Sequence, residues 1–241
     1  MRCTATLNLE ELRELQRLLA SIVTDCRLEI EESYWHIRTV DPAHIACLEL
    51  HVDSAALGRQ YSAEPCMVQL NVERLGQILK QAPRKGEMRM ELANNVITWT
   101  ADQMRWRQRL SNADTSAVKL PDPSFAAKCM VPREEIMRAG RMAADVSDVI
   151  RIELDGEALT LSASNKTEDA AMTIAAQRAD GQAAVSIPLD YWQAAAKAIP
   201  EGMLGLSLGD YLPVQLSIST WAGMLSGRYL IAPRIEDEEV A

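Results

Sequence analysis

Three histidines, His36, His44 and His51, fall within sixteen residues, and five cysteines, Cys3, Cys26, Cys47, Cys66 and Cys129, are scattered along the chain. These are the side chains that could hold a transition metal, but their arrangement argues against it. No two cysteines make a C-x-x-C pair. The residues between the histidines read as strand, turn and strand, which should spread the rings apart, with no cysteine or carboxylate at ligand spacing. No metal site is expected, and the dispersed, odd-numbered cysteines read as buried free thiols. Catalytic constellations are missing too: there is no G-x-x-x-x-G-K-S/T loop, no G-x-S-x-G elbow and no H-E-x-x-H pair. Neither a cofactor nor an enzymatic activity is expected.

The chemistry that remains is charge. Lys and Arg total 25 against 34 Asp and Glu, a net charge of −9, which taken alone disfavours a nucleic-acid partner. Distribution matters more than the sum. Four segments have the 3–4 spacing of amphipathic helices: 9–24 with Leu12, Leu15, Leu19 and Ile22, 72–81 with Leu75, Ile78 and Leu79, 133–144 with Ile136, Ala139, Gly140 and Ala143, and 189–198 with Tyr191, Ala194, Ala195 and Ala198. On a 100° wheel Arg13 and Arg17 lie opposite the first apolar stripe, Gln77, Lys80 and Arg84 opposite the second, and Arg138 and Arg141 opposite the third. Lys197 and Gln193 flank the exposed side of the fourth. If the four helices line one surface, that surface could track phosphates. On the wheel alone the cations suit ordinary solvated faces better, and Glu10, Glu14, Glu134 and Asp145 dilute them.

Each helix is followed by three or four strand-like stretches of period two. Examples are YWHIRTV, VITWTAD, and VIRIELDGEALTLSAS with a hairpin turn at Asp155-Gly156. Helices one and three, and two and four, are about 120 residues apart, as in a duplicated domain whose copies are themselves duplicated. The expected division is 1–112, a connector over 113–127 marked by Pro121-Asp122-Pro123, and 128–241. The tail Glu236-Asp237-Glu238-Glu239 is acidic. The N-terminal stretch lacks an apolar run of signal-peptide type, and no window approaches the roughly 18 apolar residues of a membrane span. A cytosolic protein with no membrane partner is expected.

At this point the residues resemble a known family. Val40-Asp41-Pro42-Ala43-His44-Ile45-Ala46 looks like the turn after the third strand of proliferating cell nuclear antigen (PCNA) DNA sliding clamps. The stretch from Leu70-Asn71-Val72 to Lys80 resembles the start of their second inner helix, and AADVSDVIRIELDG resembles the end of the third in archaeal members. Tyr229-Leu230-Ile231-Ala232-Pro233-Arg234-Ile235 with its acidic tail resembles the carboxy-terminal signature. The similarity covers essentially the whole chain in order.

The resemblance implies an α+β DNA clamp fold: two similar domains, each with two inner helices and outer antiparallel β-sheets, in a ring-forming homotrimer closed head to tail. It implies that Arg13, Arg17, Lys80, Arg84, Arg138, Arg141 and Lys197 face duplex DNA without sequence preference. It implies a pocket for PCNA-interacting peptides of DNA polymerase, flap endonuclease, DNA ligase and the clamp loader, using Val40, His44, Leu120, Phe125, Pro213, Ala232, Pro233 and Ile235. Subunits would join the strand near 104–110 to the strand near 170–177, involving Arg105, Arg107, Arg109, Thr173 and Ile174, with Asp145, Asp148, Glu168 or Asp169 as ion-pair partners. Pairing within the subunit, or plain solvation, accounts equally for any one of these arginines. The expected function is a processivity factor in DNA replication and repair. The alternatives are a divergent paralogue that forms a hetero-oligomer, or a two-domain interaction scaffold with no DNA role.

Overall fold

A computed structural model of the chain describes residues 1–110 and 119–234. The chain forms two compact units: Met1–Leu120 with Ser219–Gly227, and Pro121–Ile218 with Arg228–Ala241. The segment 219–227 therefore belongs with the first unit, although it lies more than ninety residues beyond the connector.

The first unit runs β1 (Arg2–Asn8), α1 (Leu9–Ala20), β2 (Asp25–Ile30), β3 (Tyr34–Val40), β4 (Ala46–Asp53), β5 (Ser62–Ala63), β6 (Cys66–Asn71), α2 (Val72–Gln81), β7 (Glu87–Ala93), β8 (Val96–Ala101) and β9 (Met104–Arg109). The second runs β10 (Ala127–Pro132), α3 (Arg133–Ala144), β11 (Val149–Asp155), β12 (Ala158–Ser164), β13 (Asp169–Ala175), β14 (Gln177–Asp180), β15 (Gln182–Pro188), α4 (Leu189–Ala198), β16 (Met203–Leu208) and β17 (Val214–Thr220). A last strand, β18 (Leu225–Ile231), takes its first residues from one unit and its last from the other.

The repeat is one strand, one helix, then three strands. The leading strand of each repeat, β1, β6, β10 or β15, was not expected from the sequence. Segments such as RCTATLN and QAAVSIP are rich in Ala, Ser and Thr, and their alternation is carried by small residues that give little apolar contrast. In the fold they tie the repeats together. The strand before each helix pairs antiparallel with the first main strand after the other helix of its unit: β1 with β7, β6 with β2, β10 with β16, and β15 with β11.

Each helix lies on its own unit through its apolar stripe. α1 buries Leu9, Leu12, Leu15, Leu18 and Leu19, each contributing roughly 1.5–3 kcal/mol of transfer free energy. The paired helices approach closely through a glycine. A Cβ on Gly76 of α2 would meet Gln16 of α1 at 2.6 Å, and one on Gly140 of α3 would meet Trp192 of α4 at 3.2 Å. Both contacts are fixed by side chains that reach across to backbone carbonyls, Gln16 to Val72 (3.3 Å) and Gln193 to Gly140 (2.8 Å).

One helix end differs from expectation. α1 stops at Ala20, four residues before the expected end. The Ser21 hydroxyl donates to the Leu18 carbonyl (2.7 Å), and the β-branched run Ile22-Val23-Thr24 that follows favours extended backbone. α2 stops at Gln81 as expected, and Arg84, placed on the wheel as if the helix continued, sits in the following loop. Ala82, placed before Pro83, is extended at φ −70°, ψ 154°, as the proline ring demands of its predecessor.

Candidate nucleic-acid interface

In the first unit α1 and α2 border an open groove of about 470 Å³ whose lining includes Arg13, Arg17, Gln77 and Lys80. A neighbouring groove of about 540 Å³ adds Arg84. Arg17, Lys80 and Arg84 are exposed, and among the described residues none of them makes an ion pair. Arg13 is different. Its guanidinium donates to the carbonyls of Leu9, Leu79, Ala82, Pro83 and Arg84 at 2.6–3.3 Å. It caps the C-terminal end of α2, where unpaired carbonyls and the helix dipole favour a cation. A wheel shows only that Arg13 avoids the leucine stripe, and the neighbouring helix end that claims it lies outside any wheel. Glu14, expected to dilute the cationic face, accepts a hydrogen bond from Trp221 Nε1 (2.8 Å).

In the second unit Arg138, Arg141 and Lys197 are all exposed, but Arg138 is shared with Glu135 one turn earlier at 3.3 Å. Arg133, which the wheel did not single out, plays the capping part here. It donates to the carbonyls of Ala196 (2.7 Å) and Lys197 (3.1 Å) at the end of α4. The units also differ in charge. The first carries 15 Lys and Arg against 16 Asp and Glu, the second 10 against 18, so −8 of the −9 lies in the second.

Among the described residues the two strands named for subunit joining are both open edges. β9 ends the five-stranded sheet β5-β1-β7-β8-β9 of the first unit, and β13 ends the four-stranded sheet β13-β12-β11-β15 of the second. Arg105, Arg107 and Arg109 share the exposed face of β9. On β13 Thr173 is exposed, its hydroxyl 3.2 Å from that of Thr160. The neighbouring Ile174 points the other way and is buried in its own unit, so its side chain is not offered at the edge. Asp145 is exposed and makes no ion pair among the described residues. Asp148 pairs with Arg234 of the same chain at 2.8 Å, and that guanidinium holds its carboxyl below the usual range.

No family model matches the chain. Over 245 residues it is 27% identical to a DNA polymerase sliding clamp of Methanosarcina mazei, covering 97% of this chain and 99% of that protein. Over 238 residues it is 27% identical to one from Haloarcula marismortui, covering 93% and 96%. The chain is a homologue of the archaeal sliding clamps. Its fold agrees. The PCNA chain in the structure of the C-terminal region of FEN-1 bound to A. fulgidus PCNA superposes with a TM-score of 0.90 at 21% identity, over 98% of this chain and all of that one. PCNA from Thermococcus kodakaraensis gives 0.89 at 17% identity, over 96% of this chain and all of that one.

In this clamp homologue the residues expected to meet partner peptides are placed unit by unit. Val40 is half-buried at the end of β3, and His44 is exposed at φ 59° in the turn that follows. The turn depends on Asp41, which sequence reasoning quoted but gave no role. Its buried carboxylate accepts the backbone N–H groups of Ala43, Ile45 and Ala46 at 2.7–3.0 Å. Asp41→Ala should leave these donors unmatched and lower stability by about 2–3 kcal/mol, read as a drop in the urea midpoint. An unchanged midpoint would count against this role. Leu120 is half-buried in the first unit, and Phe125, Pro213, Ala232 and Pro233 in the second, where the Arg234 N–H donates to the Ser186 carbonyl (2.8 Å). Ile235, part of the connector and the acidic tail lie outside the described residues.

The histidines correct one expectation. His36 and His51 face each other across β3 and β4, with ring centroids 6.5 Å apart, because direct cross-strand neighbours point to the same side. Carboxylates are present too: His36 lies 3.2 Å from Glu49 and 3.4 Å from Glu29. Burial raises the Glu29 carboxyl, but hydrogen bonds from Arg27 and Arg38 outweigh it and hold the group below its ordinary value. Among the described residues no group of three or more His, Cys, Asp or Glu is disposed to hold a metal ion. All five cysteines are free thiols, and burial pushes Cys3 and Cys26 up to about 12 and Cys129 to about 11. Among the described residues no helix is long and apolar enough to cross a membrane.

Proposed function

We propose that the chain is a DNA polymerase sliding clamp, a non-enzymatic subunit that closes head to tail with two further copies around duplex DNA. The observation that carries this is the end-to-end match to archaeal DNA polymerase sliding clamps, 97% of this chain against 99% of the relative. The open edges β9 and β13 support the assembly, since an unpaired strand edge is otherwise an aggregation hazard. Arg17, Lys80 and Arg84 of one unit, with Arg141 and Lys197 of the other, are proposed to touch phosphates. Their hold is weak and blind to sequence, which suits sliding.

Retention on DNA then comes from topology. A closed ring cannot leave an unbroken circle even when each contact is weak. Partners are proposed to dock by peptides that meet Val40, His44, Leu120, Phe125, Pro213, Ala232, Pro233 and Ile235. The solved complex of an A. fulgidus PCNA with the C-terminal region of FEN-1 is the model for such docking. Tethering raises an enzyme's effective concentration on DNA, into the millimolar range for short linkers. DNA polymerase, flap endonuclease, DNA ligase and a clamp loader are the proposed clients, and the cytoplasm at the nucleoid is the proposed location.

Primer extension on primed circular single-stranded DNA, with an archaeal polymerase and clamp loader, tests the proposal. Adding the chain should shift products from short to full length, and cutting the circle should abolish the gain. Product lengths equal to those of polymerase alone would sink it.

A further inference from the structure

Tyr211 is 85% exposed, far more than any other large apolar side chain among the described residues. Its backbone is also in the left-handed region, at φ 60°. A tyrosine there carries a steric cost that glycine or asparagine would avoid. That angle belongs to the third position of the Gly209–Leu212 turn, and among the described residues the side chain makes no hydrogen bond that would explain a tyrosine there.

The loop around it is held firmly. The Leu212 N–H closes a turn on the Gly209 carbonyl (3.1 Å). Leu212 packs so tightly over Gly209 that a Cβ there would meet it at 2.6 Å. Asp210, on the other flank, accepts the Ala184 N–H (3.0 Å). Both neighbours are thus tied down while the ring of Tyr211 is presented to solvent, two residues before Pro213. Among the described residues its unit carries ten Lys and Arg against fourteen Asp and Glu, and Asp210 is its neighbour in the chain. An exposed aromatic face in a surplus of negative charge attracts a cation.

We propose that Tyr211 is a contact residue for the basic flank of a partner peptide, its ring receiving a lysine or arginine that lies beside the residues bound at Pro213. The inference rests on the peptide-tethering reading and adds to it a residue and a charge preference.

The test uses two synthetic peptides of the A. fulgidus FEN-1 C-terminal region, one extended at each end by two lysines and the other by two serines. Calorimetry measures both against the full chain and its Tyr211→Ala, Tyr211→Gly and Tyr211→Phe variants. Wild type and Tyr211→Phe should favour the lysine peptide, and Tyr211→Ala and Tyr211→Gly should lose about fivefold of that preference. The glycine variant should melt no lower than wild type, because it removes the left-handed cost, so its loss of preference is not unfolding. If the lysine preference survives both the alanine and the glycine change, the role of Tyr211 is overturned while tethering stands. If wild type binds neither peptide, the tethering reading falls and takes this inference with it.

Discussion

Replacing Arg17, Lys80 and Arg84 together by alanine should lower affinity for a short labelled duplex at least tenfold near 100 mM salt, and more than replacing Arg138, Arg141 and Lys197. The first trio stands exposed around the α1–α2 grooves, and among the described residues none of it is engaged in an ion pair. In the second trio Arg138 already has Glu135 at 3.3 Å, and its unit carries eight of the nine excess negative charges. A cation shared with a carboxylate releases fewer counterions when it meets a phosphate. Each lost contact should reduce the slope of log affinity against log salt by about 0.9, so anisotropy titrations over a salt series separate the two variants. Stability should hold within about 0.5 kcal/mol, as for most exposed substitutions. An equal or larger loss from the second trio would refute the assignment. Arg13 belongs in neither set, because removing it would uncap α2 and confuse folding with binding.

The helices were readable because their information is local. The spacing of Leu12, Leu15 and Leu19, or of Ile136, Ala139 and Ala143, fixes a face whatever the chain does elsewhere, and α2, α3 and α4 have the expected bounds. The hairpin at Gly156 was legible for the same reason: glycine takes φ 58° without strain. The leading strands β1, β6, β10 and β15 were not: small residues hide the alternation of β1 and β15, and the partners of all four lie in the other repeat. At the site, exposure was predictable but engagement was not. Arg13 and Arg17 look alike on a wheel, and only the position of the α2 C-terminus makes one a cap and leaves the other unpaired. Asp148 looks free until Arg234, 86 residues on, comes to 2.8 Å. His36 and His51 meet because the register of β3 and β4 places them opposite each other, and pattern alone does not give register.

Arg107→Pro should convert the proposed ring to monomers while leaving the fold intact. In an antiparallel ladder, pairs that exchange hydrogen bonds alternate with pairs that do not. The Leu110 N–H donates to the Asn95 carbonyl (2.8 Å), which sets the alternation for β8 and β9. Gln108 with Ile97 and Trp106 with Trp99 are then the bonded pairs, while Arg105, Arg107 and Arg109 turn their N–H and C=O groups toward the open edge. On β13 the bonds Asn165 N–H to Glu168 O and Ala176 N–H to Glu157 O make the same assignment: Thr173 faces out, and Ile174 is bonded to Leu159. Proline at position 107 removes an outward donor that β8 does not use, which an edge strand tolerates. It also places a ring where a neighbour's strand must pair. Proline at Gln108 instead breaks the ladder and should unfold the sheet. A loss of about 1–3 kcal/mol at one interface recurs at every joint of a closed ring. Three chains of 26.7 kDa give about 80 kDa, so light scattering at micromolar concentration distinguishes a trimer from a single chain. Thr173→Pro should behave like Arg107→Pro. A trimer that persists in both variants would mean that these edges do not join the subunits and that the ring, if there is one, closes elsewhere.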